Sequence, residues 1–176
     1  MRLFVALEPP LEVARGLADW GASVAAADPA LAPVEAAALH VTMAFLGECA
    51  EDAVDVLAES VRAAAGPVPA LTVAGALWLA PKRPHVLTVA LGDDDGALLG
   101  VHDRLWTGLA ALGFAPADRP LRPHLTVARV RRGQRPRSLE VPEPPVAGFA
   151  GLALTLMRSR LGGGQERYEP LERVLL

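Results

Sequence analysis

Two stretches of this chain set an imidazole and a hydroxyl two residues apart inside an apolar run: Leu39-His40-Val41-Thr42-Met43-Ala44 and Pro123-His124-Leu125-Thr126-Val127-Ala128. In extended backbone successive side chains alternate faces, so His40 shares a surface with Thr42 and His124 shares one with Thr126, while Leu125 and Val127 turn toward a core. The chain has four histidines, and two of them fall in this pattern. Imidazole titrates near neutral pH, so two histidines that face one another can begin a reaction in opposite protonation states. In-line displacement at phosphorus requires this: one histidine takes the proton of the attacking oxygen, and the other, across the phosphate, protonates the leaving oxygen. The threonine hydroxyls would donate to the non-bridging oxygens, where negative charge grows in the transition state. Neither motif carries an Asp, Glu or second His at ligand spacing, so the pattern calls for no metal and no cofactor. A lone H-x-T is as well explained by a strand histidine bonded to main chain. Two copies in matched contexts are not.

The elements that would position these groups read as follows. Leu3–Leu7 is a short apolar strand ended by Glu8-Pro9-Pro10, and a helix follows with Val13, Leu17, Trp20 and Val24 on one stripe. Asp28 through Pro33 reads as a loop leading to the first His/Thr strand, His40–Leu46, which Gly47 closes. A second helix presents Val54, Leu57, Ala58, Val61 and Ala65 and stops at Gly66-Pro67. Leu71–Leu79 and Val86–Leu91 read as strands joined by the turn Pro81-Lys82-Arg83-Pro84. A third helix, opened by Asp93-Asp94-Asp95 and capped by Gly113, turns Leu98, Leu105, Leu109 and Leu112 inward; the loop Phe114–Pro120 then leads to the second His/Thr strand. Arg131–Pro145 is polar and rich in Arg and Pro, a surface excursion that could border the site. Phe149–Arg158 and Tyr168–Leu175 read as a last strand pair, joined through Gly162-Gly163-Gly164.

The order strand, helix, loop, His/Thr strand thus occurs twice, with 37 positions from Leu3 to His40 and 38 from Val86 to His124. This internal duplication of elements predicts an α+β fold. Two pseudo-symmetric lobes of antiparallel sheet, backed by helices, would enclose a central groove to which each lobe brings one His and one Thr. Residues 1–176 are read as a single two-lobed domain, which this length can accommodate with a sizeable core.

Composition narrows the partners. A formal net charge of −3 argues against a broad basic face for long nucleic acid, so a nucleic-acid substrate would be gripped locally. Sixteen of the seventeen basic residues are Arg, which reads as compositional bias and not as function. Cys49 is the only cysteine, which excludes an intramolecular disulfide and a cysteine-based zinc cage and leaves it as a small buried hydrophobe. No apolar run suits a membrane span and no signal peptide is evident, so the expectation is a soluble cytoplasmic protein, and a monomer.

At the paired motifs the sequence resembles the two-histidine phosphoesterase superfamily, and within it the bacterial RNA 2′,3′-cyclic phosphodiesterases, also called 2′-5′ RNA ligases. The similar residues are Arg2-Leu3-Phe4-Val5-Ala6-Leu7, the stretch Leu39 to Gly47, and Arg119-Pro120 with Arg122 through Arg129; Ser159, Gly164 and Tyr168 fit the family's C-terminal pattern. The resemblance implies opening of a terminal 2′,3′-cyclic phosphate to a 2′-phosphate with expulsion of the 3′ oxygen. A 5′-hydroxyl can replace water where members run ligation. It implies His40 as proton donor and His124 as proton acceptor, an order that residue chemistry alone leaves open. Thr42 and Thr126 carry over as donors to phosphate oxygens. Arg129 carries over as a phosphate ligand, although strict alternation puts it on the face opposite His124 unless the strand bulges. Arg119 and Arg122 line the entrance or lie on a solvated surface, and Phe4 either stacks on a base or packs in the core. His85 and His102 have no such context and read as structural or solvent-facing. The substrates implied are RNA ends or nucleotides bearing a 2′,3′-cyclic phosphate. The other readings are an esterase for another cyclic phosphate or a 2′-5′ linked nucleotide, or a module that binds RNA ends without turnover.

Overall fold

The computed structural model describes residues 1–80, 82–116, 119–162 and 165–176, the side chains of 161, 162, 165 and 166 excepted. Pro81 of the expected turn, residues 117–118 of the loop before the second motif, and residues 163–164 of the expected glycine connection lie outside them.

The two sequence repeats become two antiparallel strand pairs. Strands β1 (Arg2–Glu8) and β3 (Val41–Glu48) flank helix α1 (Leu11–Ala27), and strands β5 (Val86–Gly92) and β6 (His124–Val130) flank helix α3 (Ala97–Ala111). Each pair seeds a sheet. The first has the order β3-β1-β8-β9, with β8 spanning Ala153–Gly162 and β9 Gln165–Leu175. The second has the order β2-β6-β5-β4-β7, with β2 at Leu31–Pro33, β4 at Leu71–Leu79 and β7 at Gly148–Phe149. Strands β3 and β6, which carry the His/Thr motifs, come together where the two sheets meet. The result is the expected α+β fold, two antiparallel lobes about a groove.

Period-2 burial drives this arrangement. Leu3, Val5 and Leu7 of β1, Leu154 and Leu156 of β8, and Leu87, Val89 and Leu125 of the second sheet are almost wholly buried in one continuous core. The helices close that core. Leu17, Trp20 and Val24 of α1 pack beside β6, where Gly21 is required because a Cβ there would stand 2.8 Å from the Val127 carbonyl oxygen. Helix α2 (Val54–Ala64) covers β8 and β9 with Leu57, Ala58 and Val61 and packs on α3. Helix α3 is capped at both ends. The Asp93 carboxylate accepts from the amides of Leu98 and Leu99 at 3.0 and 2.8 Å. At its C-terminus Gly113, in the left-handed region at φ 86°, donates to Ala110 while Phe114 donates to Leu109, a Schellman arrangement.

Four expectations need correction. The loop from Asp28 to Pro33 contains β2, an edge strand too short to show periodicity and ended by a proline that cannot donate to a ladder. The single strand expected over Phe149–Arg158 is two elements in different sheets: Phe149 pairs with Leu71 in the second, and β8 pairs with β1 in the first. The chain crosses between them at Gly151, whose amide bonds to Val68 and where a Cβ would stand 3.0 Å from the Leu7 side chain. Leu112, expected inward, is 38% exposed because the helix ends before it, and Val101 takes its place. Ala65 likewise caps α2 and Ala64 is buried instead. Arg131–Pro145 is a surface segment tied down at several points. The Arg137 amide donates to the Asp28 carboxylate at 2.6 Å, and Trp78 donates to the Leu139 carbonyl at 3.0 Å.

Candidate active site

The ladders fix which side chains face the groove. Across β1 and β3, Ala6 pairs with Thr42 and Phe4 with Phe45; across β5 and β6, Ala90 pairs with His124, Thr88 with Thr126 and Val86 with Arg129. Each motif strand carries an extra residue at the same place, and β3 has a second one at Leu46. Met43 is unpaired between Thr42 and Ala44 in β3, and Val127 is unpaired between Thr126 and Ala128 in β6. Such a bulge sets two residues opposite one and resets the alternation. Met43 and Ala44 are therefore both buried, as are Val127 and Ala128, and the next residue in each strand, Phe45 or Arg129, is exposed on the face of the histidine and threonine. Strict alternation fails at Arg129 for this reason.

The two imidazoles are held alike. His40 Nδ1 lies 2.8 Å from the Ala38 carbonyl oxygen, and His124 Nδ1 lies 2.7 Å from the Arg122 carbonyl oxygen. A carbonyl only accepts, so both Nδ1 atoms carry the proton and Nε2 is the nitrogen through which each ring exchanges protons. Arg122 thus contributes its main chain to orienting His124, while its side chain is exposed, as is that of Arg119. Thr42 and Thr126 are part-buried on the same faces.

The surroundings of the two histidines differ. The His40 ring sits 5.0 Å from that of Phe4 and 5.1 Å, edge-on, from that of Tyr168; Phe4 touches Tyr168 at 5.0 Å and Phe45 at 6.4 Å. Phe4 is 4% exposed and forms, with Ala6 and Met157, a small apolar floor separate from the main core. Of the two alternatives for Phe4 the structure shows packing, with the ring buried beneath the groove face. Phe45, 73% exposed, is the most exposed aromatic of this cluster and stands on the groove face. Sequence reasoning misses it as a site residue, although H-x-T-x-x-F followed by H-x-T-x-x-R in equivalent strands is a visible signal. Farther along the same face Arg173 donates to both Glu8 carboxylate oxygens at 3.0 to 3.1 Å, and the buried Thr155 hydroxyl donates to Glu8 as well.

His85 and His102 stay apart from this face. His85 is exposed and bonds the Arg83 carbonyl at 3.2 Å, and His102 lies on α3 beside Trp106. The Cys49 thiol is half-buried and its pKa is pushed up by that burial. Among the described residues no three His, Cys, Asp or Glu side chains gather as a metal site, and no helix is long and apolar enough to cross a membrane.

Comparison with known proteins agrees with this geometry. Residues 8–161 match the model of the 2′-5′ RNA ligase superfamily. The RNA 2′,3′-cyclic phosphodiesterase of Escherichia coli K12 is 31% identical over 98% of this chain and 94% of its own length. Among solved structures, TT0787 of Thermus thermophilus superposes with a TM-score of 0.82 at 26% identity, covering 100% of this chain and 98% of that one. E. coli LigT complexed with 3′-AMP does so with a TM-score of 0.78 at 29% identity, covering 99% and 97%. The duplicated His/Thr strands, their matched bulges and these end-to-end likenesses have one source: the chain belongs to the 2′-5′ RNA ligase superfamily.

Proposed function

We propose that this enzyme opens the 2′,3′-cyclic phosphate at an RNA end to a 2′-phosphate, with 2′-5′ ligation as the related reaction when a 5′-hydroxyl takes the place of water. The observation that carries the reading is the pair of motif histidines, each locked through Nδ1 to the carbonyl two residues before it, on equivalent strands of the two lobes. His124 Nε2 removes a proton from water as its oxygen attacks phosphorus, the bond from phosphorus to O3′ breaks, and His40 Nε2 protonates O3′. Thr42, Thr126 and Arg129 hold the non-bridging oxygens, where a planar guanidinium can make two parallel bonds. The terminal base lies against Phe45, with Phe4 as the ring beneath it.

The order of the two histidines follows the family resemblance, and the like tethering of both rings through Nδ1 is compatible with it. Both histidines and both threonines come from one chain, which supports a single two-lobed catalytic unit acting as a monomer. RNA ends with cyclic phosphates as substrate suit a cytoplasmic location.

The test is hydrolysis, in chelator, of a short RNA ending in a 2′,3′-cyclic phosphate. The product is expected to be the 2′-phosphate. His40→Ala and His124→Ala, each folded, are expected to lose at least ~10²–10⁴ in rate, the contribution of one general acid or base. Formation of the 3′-phosphate, or retention of activity in either variant, would refute the assignment.

A further inference from the structure

We infer that Arg2, with Ser159 beside it, forms a subsite for the phosphodiester on the 5′ side of the terminal nucleotide, so that the groove reads an oligonucleotide end and not merely a cyclic nucleotide. This rests on the proposed reading of the groove. Arg2 shares the parity of Phe4 and Ala6 on β1, whose other face, Leu3, Val5 and Leu7, is sealed in the core. Its side chain therefore rises from the groove face, and it is exposed. It pairs across the sheet with Ser159 of β8, which pairs in turn with Tyr168 of β9, so the three form one row beyond the row of Phe45, Phe4 and Met157.

The spacing suits a nucleic-acid strand. The row of Thr42 and Ala6 holds the reacting phosphate, the next holds the base, and the row of Arg2 lies four residues, about 13 Å, along the strand from the first. By leaning back along the strand, the long arginine side chain can reach a phosphate about one nucleotide from the first.

Charge singles Arg2 out on this face. Arg173 is already held by the Glu8 carboxylate, whereas Arg2 makes no ion pair or side-chain hydrogen bond among the described residues. The nearest carboxylate in register is that of Glu48, across the ladder on β3, and it is drawn to the N-terminal ammonium at 3.4 Å. The Ser159 hydroxyl likewise has no partner among the described residues and can donate to the same anion. A nucleoside 2′,3′-cyclic phosphate with a free 5′-hydroxyl offers nothing to this pair, and an RNA end offers one phosphodiester.

The test compares kcat/KM for a dinucleotide ending in a 2′,3′-cyclic phosphate with that for the corresponding nucleoside 2′,3′-cyclic phosphate, in the unmodified enzyme, Arg2→Ala and Arg2→Lys. The dinucleotide is expected to be preferred by about tenfold or more, the scale of one charge-assisted hydrogen bond. Arg2→Ala is expected to bring the ratio close to one, and Arg2→Lys to hold an intermediate ratio by keeping the charge. The dinucleotide's kcat/KM should also lose about 0.7 of its logarithmic salt slope in Arg2→Ala, the value for one phosphate contact to a single strand. A ratio near one in the unmodified enzyme, or equal losses on both substrates in Arg2→Ala, would overturn the subsite while leaving the reaction standing. Absence of turnover on both substrates in the unmodified enzyme would overturn the reaction and the subsite with it.

Discussion

Truncating Phe45 separates binding of the base from chemistry at the phosphate. The bulge at Met43 places the ring on the groove face, 73% exposed, with its centroid 6.4 Å from that of Phe4 and the planes tilted by 39°. A ring this exposed adds little to folding. Loss of the aromatic pair accounts for about 0.5–1.5 kcal/mol at most, so Phe45→Ala should fold. Stacking of a base on an aromatic side chain is worth about 1–3 kcal/mol, which corresponds to a loss of roughly 5- to 150-fold in kcat/KM. The base keeps its place while bonds change at phosphorus, so the stack stabilises ground and transition states alike. The loss should appear in KM with kcat nearly unchanged. Steady-state hydrolysis of an RNA end measures both constants, and Phe45→Trp should restore KM. A ribose 2′,3′-cyclic phosphate bearing a methyl group instead of a base should respond little to Phe45→Ala. A fall in kcat at constant KM, or an equal loss on the substrate without a base, would refute the stacking role.

Three further perturbations test other levels of the structure. Arg129→Ala is expected to lower kcat on every cyclic phosphate by about 10²-fold, on the scale of one lost oxyanion donor. Arg129→Lys should recover only part of it, because a lysine cannot make the bidentate contact; full recovery in single-turnover assays would show that charge alone is needed. Leu125→Ala, at a wholly buried position between His124 and Thr126, is expected to cost about 2–5 kcal/mol in denaturant unfolding, and a smaller loss would mean that the strand is not anchored as described. The Asp28 carboxylate is held below its ordinary pKa by the backbone amides of Arg137 and Ala30. Its stabilising effect is present above the ordinary Asp range and is lost as pH falls through the depressed folded value. Acid should therefore speed hydrogen exchange near Arg137 in the unmodified protein, after correction for the intrinsic pH dependence, and Asp28→Asn should abolish that extra pH dependence.

The parts of the fold that follow from local periodicity were legible in the sequence. Strands β1, β5 and β6 alternate or run apolar over their length, α3 carries its own caps in Asp93 and Gly113, and the two H-x-T strands announce the candidate site and the duplication. What escaped depends on a partner strand. A bulge is a count of two residues against one across a ladder, and no single strand states it, so alternation put Arg129 on the wrong face. Strand β2 is three residues that have meaning only beside β6. The break near Gly151 was hidden because Phe149 and Ala153 are both buried in apolar sequence, although they serve different sheets. A trace of the bulges was nonetheless present: each threonine is followed by two adjacent apolar residues, Met43-Ala44 and Val127-Ala128, where simple alternation would have made one of each pair polar.

The matched bulges also explain how a nearly symmetric groove can accept an asymmetric substrate in one orientation. Up to the threonine the lobes repeat one another, with an imidazole tied by Nδ1 to the preceding turn, a hydroxyl one rung on, and an extra residue that turns the strand. The symmetry ends at the next residue, where the first lobe has Phe45 and the second has Arg129. A guanidinium attracts the phosphate and an aromatic ring attracts the base, so a terminal nucleotide placed in reverse would lose both contacts. In the proposed mechanism, orientation in turn decides which ester oxygen lies beside His40 and is expelled. On this account the bulges do more than expose two side chains: by bringing unlike residues to equivalent positions, they convert a duplicated proton-transfer device into one that breaks a particular bond.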